Sequence, residues 1–121
     1  MSGQGSGMTF DPRLVPSMET AAMLRRTEML GGFGTVLNKG DPERGAILLL
    51  LLERGVPRCF LERLLRPDGR YVWQAGGPST IDSNTASQYV ARRQRSDPDC
   101  WVLELDIPSA ERFIAEMNSL A

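Results

Sequence analysis

Gly45-Ala46-Ile47-Leu48-Leu49-Leu50-Leu51-Leu52-Glu53-Arg54 is the stretch on which the fold turns. Its apolar residues fall on both faces of an extended chain, and turn-forming residues bound it. A run of this kind suits a central strand covered on both sides. It is far too short to cross a bilayer, which takes about 20 apolar residues.

Strand and turn signals continue on either side. Upstream, Phe33–Asn38 reads as a short strand, and Lys39-Gly40-Asp41-Pro42 as the turn that follows it. Downstream, Gly55-Val56-Pro57 reads as a tight connection and Arg58–Arg66 as the next strand. Pro67-Asp68-Gly69 is a strong hairpin turn, and Arg70–Gln74 is a fourth strand. Four short runs joined by tight turns read as an antiparallel meander. Cys100–Asp106 adds a later strand that alternates, with Trp101, Leu103 and Leu105 toward the core and Glu104 and Asp106 toward water.

Helical patterns fill the rest. Met18–Leu30 is rich in good helix formers and is followed by Gly31-Gly32, a suitable stop. The Arg25-Arg26 pair interrupts its apolar face, so a strand running into Arg25 is the alternative. Asp82–Arg95 reads as a helix with Ala86, Tyr89 and Val90 on one side, stopped by Ser96-Asp97-Pro98-Asp99. Pro108 suits the first position of a last helix, where Ala110, Phe113, Ile114, Met117 and Leu120 form one stripe. The expected fold is α+β: an antiparallel sheet of about five strands with two or three helices packed on it. Residues 1–17 are expected to be a flexible tail and lead-in, and residues 18–121 a single domain. Met8 offers an alternative start.

Composition narrows the function classes. The 121 residues carry a net charge of −1, with 41% hydrophobic and 24% charged residues, ordinary values for a globular domain. A protein built mainly to grip nucleic acid usually has a clear basic excess, which is missing here. There is no histidine, and Lys39 is the only lysine. Serine and cysteine nucleophiles usually work with a histidine base, so an enzyme is the less favoured class. Cys59 and Cys100 sit in apolar runs and read as buried free thiols. No basic and apolar leader opens the chain, and the compartment reads as cytoplasmic, with no membrane partner.

Candidate sites remain. Arg92, Arg93 and Arg95 end a helix, and Asp97 and Asp99 follow. Cations there complement the helix dipole, and the aspartates can cap the turn, so a structural role suffices. The functional alternative is an arginine patch, with Arg25 and Arg26 as possible additions, for an acidic partner, phosphate or RNA. Gly76, Gly77 and Ser79 lie between a strand and a helix, where a loop can present N–H groups to an anion, although no phosphate-binding motif is matched. Asp97, Asp99, Glu104 and Asp106 could form a carboxylate cluster, but no metal spacing supports one, and no cofactor is expected.

One resemblance stands out. Arg25-Arg26, Lys39-Gly40-Asp41 with Gly45, and the run Arg93-Gln94-Arg95-Ser96-Asp97-Pro98-Asp99-Cys100-Trp101-Val102 with Glu104 resemble an uncharacterised alphaproteobacterial domain family of unknown function, family number 1491. The likeness spans roughly Thr20 to Met117. The chain departs from the family at Ser96, where an aromatic is usual, and at Cys100, where leucine is. The resemblance implies no activity, substrate or cofactor. The leading expectation is a non-catalytic binding or protein-interaction module, with a homodimer or another protein as its partner and sheet extension open to it if Gly45–Arg54 were an edge. The alternatives are anion or nucleic-acid binding through the arginines and, third, a small carboxylate enzyme.

Overall fold

The computed structural model describes residues 14–120, apart from the side chain of Leu120. The tail expected at Met1–Gly7 and most of the lead-in lie outside them. The elements are α1 (Pro16–Met29), β1 (Phe33–Asn38), β2 (Ile47–Glu53), β3 (Val56–Leu65), β4 (Tyr71–Gly76), α2 (Ser83–Ser96), β5 (Trp101–Asp106) and α3 (Ala110–Leu120). The fold is α+β, with three helices and a five-stranded sheet ordered β1-β5-β2-β3-β4.

Several features differ from expectation. α1 starts at Pro16, because proline at the first helical position loses no intrahelical hydrogen bond. Only β2, β3 and β4 form a meander, since β5 inserts between β1 and β2. It pairs antiparallel with β1 and parallel with β2, Leu49 lying opposite Leu103. The parallel pair sits mid-sheet, where both faces are covered, which is why β2 is apolar on both parities. β2 is therefore no edge, and sheet extension through it is closed. The start of β5 is covered on both sides too, Cys100 and Val102 being buried opposite Trp101, Leu103 and Leu105, while its end is covered on one side only.

Arg54 and Gly55 make the β2–β3 turn, both with positive φ (52° and 79°), as a two-residue hairpin requires. Val56 and Pro57 thus belong to β3 rather than to the connection. Pro57 stands at a register shift and beyond the reach of β4, so its missing N–H breaks no ladder on that side.

The layers are unequal. One face of the sheet carries α1 over β1 and β5, and α3 over β2 and β4. Met23, Leu49, Leu51, Leu61, Trp73 and Phe113 lie in that larger core. The other face carries α2 alone, seated on Leu48, Leu50, Phe60 and Val102 through Ala86 and Val90. At about 4.8 Å per strand the sheet is roughly 20–24 Å wide, and one helix covers about 10–12 Å. α2 leans toward β3, so the β1 side of this face is left open.

Candidate functional site

α2 fixes the arginines. Asp82 caps its start: the carboxylate accepts the Thr85 N–H at 2.8 Å, and the Thr85 hydroxyl accepts the Asp82 N–H at 2.8 Å. The Thr85 N–H, then its hydroxyl, hold the Asp82 carboxyl below the ordinary range. The helix start therefore already holds an anion of its own. Gly76 ends β4, and Gly77 backs onto the aromatic layer: a Cβ there would lie 3.1 Å from Phe60 and 3.3 Å from Tyr89. Ser79 is exposed in the loop beyond.

At the other end of α2, Arg93 donates to Glu62 of β3 at 2.8 Å. Partial burial is the largest single influence and pulls its pKa down, but the Glu62 hydrogen bond together with the fields of Cys100, Glu62 and Tyr89 holds it above the ordinary value. Arg92 lies over the Tyr89 ring, 5.8 Å from its centroid, and Tyr89 packs on Phe60 at 4.5 Å. These arginines, with Arg95, Tyr89 and Ser96, line a shallow recess of about 490 Å³. Among the described residues no ion pair joins them to Asp97 or Asp99. Arg25 and Arg26 are elsewhere: α1 lies on the opposite face of the sheet, with Arg25 exposed and Arg26 3.5 Å from Glu116 of α3. The structure does not bring the two arginine groups together.

The Asp97–Trp101 segment has another role: it is clasped to the Lys39–Gly45 loop. The Asp99 carbonyl accepts the Asp41 N–H at 2.9 Å, and the Trp101 indole N–H donates to the Asp41 carbonyl at 2.7 Å. Asn38 donates to the Cys100 carbonyl at 2.7 Å. The Asp41 carboxylate accepts the N–H groups of Glu43 and Arg44 at 2.8 and 2.9 Å, and these bonds, Glu43 first, hold its pKa below the ordinary range. A Cβ on Gly40 or Gly45 would collide with the Asp99 carbonyl oxygen, so both positions need the bare backbone. The most specific sequence motifs of the chain thus hold two loops together at one end of the sheet.

The four candidate carboxylates separate. Asp97 and Asp99 lie in the clasped turn, and Glu104 and Asp106 lie on β5. Glu104 and Asp106 are half-buried rather than fully in water, because they face the space beside α2. Asp106 is engaged, accepting the Gly55 N–H at 2.9 Å. Among the described residues no three His, Cys, Asp or Glu side chains gather as metal ligands would. The thiols are free; Cys59 packs against the core under α1 and α3, Cys100 belongs to the core under α2, and burial pushes both pKa values up. Among the described residues no helix is long and apolar enough to cross a membrane.

Sequence reasoning missed one concavity altogether. It is a trough of about 500 Å³ between β1 and α2. Phe33, Thr35 and Leu37 of β1 form one side, Ala86, Val90 and Ala91 of α2 line the other, and Glu104 and Asp106 lie between. Phe33 is 65% exposed and Leu37 39%, and on the far side of the same strand Val36 is 41% exposed. β1 is also the end of the sheet order, so its outer backbone groups have no strand partner among the described residues. The available signal was the apolar Phe33–Leu37 run without charge; which edge it occupied was not readable.

Comparisons with known proteins come down on one family. The family described as protein of unknown function (DUF1491) matches residues 14–115. A crystal structure of a DUF1491 family protein from Caulobacter crescentus CB15 is 33% identical, with a TM-score of 0.71 over 79% of this chain and 90% of that one. An NMR structure of a DUF1491 family protein from the same organism is 32% identical, with a TM-score of 0.71 over 86% and 94%. Protein Atu0922 from A. tumefaciens shares the fold at 23% identity, with a TM-score of 0.66 over 84% and 92%. No curated protein matches the chain. The match takes in both clasped loops, α1, α2 and the first half of α3, and with it the chain belongs to the DUF1491 family, a family of unknown function.

Proposed function

We propose that this chain is a non-catalytic protein-interaction module, and that its contact surface is the free edge of β1 with the trough beside it. One observation carries the reading: an uncharged, apolar edge strand borders a trough of about 500 Å³. An extended segment added along β1 would satisfy its outer N–H and C=O groups and set alternate side chains into the trough. The free thiols at Cys59 and Cys100 fit a reducing compartment such as the cytoplasm.

The arginine end of α2 supports a second reading, anion or nucleic-acid binding, because Arg92 and Arg95 flank a recess and Arg93 is pre-oriented by Glu62. It ranks lower on electrostatic grounds: the recess lies at the negative end of the α2 dipole, and Arg93 is already neutralised by Glu62.

Selection from a display library of random linear peptides, followed by amide-shift mapping with a selected peptide, tests both. The expected shifts fall on Phe33–Leu37 and on Ser87, Ala91 and Gln94 of α2. Shifts confined to Tyr89, Arg92 and Arg95, or selection of no peptide, would overturn the trough reading.

A further inference from the structure

The two edges of the sheet are finished differently. At the β4 edge, the Asn118 side chain of α3 accepts the Trp73 N–H at 2.7 Å and donates to the Trp73 carbonyl at 3.1 Å. It occupies the hydrogen-bonding groups that an incoming strand would need. The β1 edge has no such cover among the described residues, and its sequence, Phe33-Gly34-Thr35-Val36-Leu37-Asn38, has neither a charge nor a proline; its one irregularity against β5 is a register shift between Val36 and Asn38, at the end of the stretch. Proteins that must keep an edge unpaired usually place one of these there. The apolar exposure is also concentrated. Met29, Leu30, Phe33, Val36 and Leu37, five of the nine exposed large hydrophobic residues among those described, fall within one nine-residue stretch ending on this strand.

We propose that the strand added to β1 is the β1 of a second copy, joining the two sheets edge to edge about a two-fold axis; this rests on the interaction reading above and names its partner. A strand without charge can face itself with no like-charge pair across the ladder. The register follows from the pleat. Opposed residues of an antiparallel pair point to the same face, so with the axis normal to the sheet the self-opposed residue is the middle of the stretch used. For residues 33–37 that residue is Thr35. Phe33 then lies opposite Leu37 of the second copy on the trough face, and Gly34 lies opposite Val36 on the other. Each trough becomes half of one longer trough walled by two α2 helices. A strand edge with a few flanking side chains buries less than the roughly 800 Å² per partner of a standard interface. The dimer is accordingly in exchange with monomer, and its population depends on concentration.

Sedimentation equilibrium over rising concentration is the first measurement. The weight-average mass is expected to climb toward that of a dimer, and Leu37→Lys to hold it at the monomer with an unchanged circular dichroism spectrum. Thr35→Cys and Gln74→Cys, each in a Cys59→Ser background, locate the contact. Self-opposed Thr35 positions fall within disulfide reach, at a Cα separation of about 4.5–5.5 Å. Thr35→Cys should oxidise to a covalent dimer, while Gln74→Cys, on the closed edge, should not. A wild-type chain that stays monomeric at its highest soluble concentration overturns the proposal, as does cross-linking through Gln74→Cys in preference to Thr35→Cys. A monomer that still binds selected peptides in the trough sinks only the second copy; loss of both sinks the interaction reading as well.

Discussion

Gly45 shows how one backbone position holds the architecture together. Its N–H donates to the Asp41 carbonyl, and its missing Cβ leaves room for the Asp99 carbonyl that also receives the Asp41 N–H. The obstacle to any side chain here is main chain, fixed by the clasp itself, so it cannot step aside. Gly45→Ala should therefore destabilise the protein by about 2–3 kcal/mol, at the upper end of what overpacking costs. Gly34 provides the comparison. A Cβ there meets the ends of the Leu24 and Leu105 side chains, at 2.6 and 2.8 Å, and those can rotate away. Gly34→Ala should cost distinctly less. Urea unfolding of the two variants would test the ranking, and equal losses would show that the clasp is not the rigid element.

At the scale of elements, the edges decide how the sheet meets its surroundings. Removing the Asn118 amide leaves two Trp73 backbone groups open, so Asn118→Ala should cost about 1–2 kcal/mol from two lost hydrogen bonds. It should also speed hydrogen exchange at the Trp73 amide and raise aggregation, now through β4. Unchanged exchange at Trp73 would show that Asn118 does not close the edge. The same elements show what was legible in the chain. β1, the α2 span and the central place of β2 followed from local patterns, because turn chemistry and apolar parity are local properties. α1 was ambiguous for a physical reason. Its buried face carries Glu19, bound to Arg63, with Thr20 and Thr27 bonded back to the Pro16 and Met23 carbonyls, so a polar set replaces the apolar stripe. Arg63 in turn lies over the rings of Tyr71 and Trp73. The insertion of β5 between β1 and β2 was hidden, since the Lys39–Ala46 connection resembles a hairpin loop but is held against the turn before β5. Arg92, Arg93 and Arg95 close α2, but Arg25 and Arg26 lie across the sheet from them, and the trough was invisible because it depends on where a single helix leaves a sheet uncovered.

For the whole molecule, stability should form a plateau between two proton-linked limits. On the acid side, Asp41 and Asp82 have pKa values below the ordinary carboxylate range in the folded protein, each held down by backbone N–H donors. The unfolded chain then binds their protons first. Their contribution is complete above the ordinary Asp value, ~3.9, and is lost as pH falls through the folded values. On the alkaline side, burial raises the pKa of Cys59 and Cys100, so the folded protein keeps those protons longer than the unfolded chain. That contribution is complete below the ordinary thiol value, ~8.5, and is lost as pH rises through the folded values. The urea midpoint should accordingly decline on both sides of neutrality. Replacing the fully buried thiol isolates the alkaline limb: Cys100→Ala lowers the midpoint at every pH by leaving a small void, but it should flatten the decline above pH ~9. An alkaline slope identical in wild type and Cys100→Ala would mean that the Cys100 thiol has the same proton affinity folded and unfolded. The core beneath α2 would then be open to water, and the seating of α2 on Leu48, Leu50 and Val102, which defines one wall of the trough, would have to be redrawn.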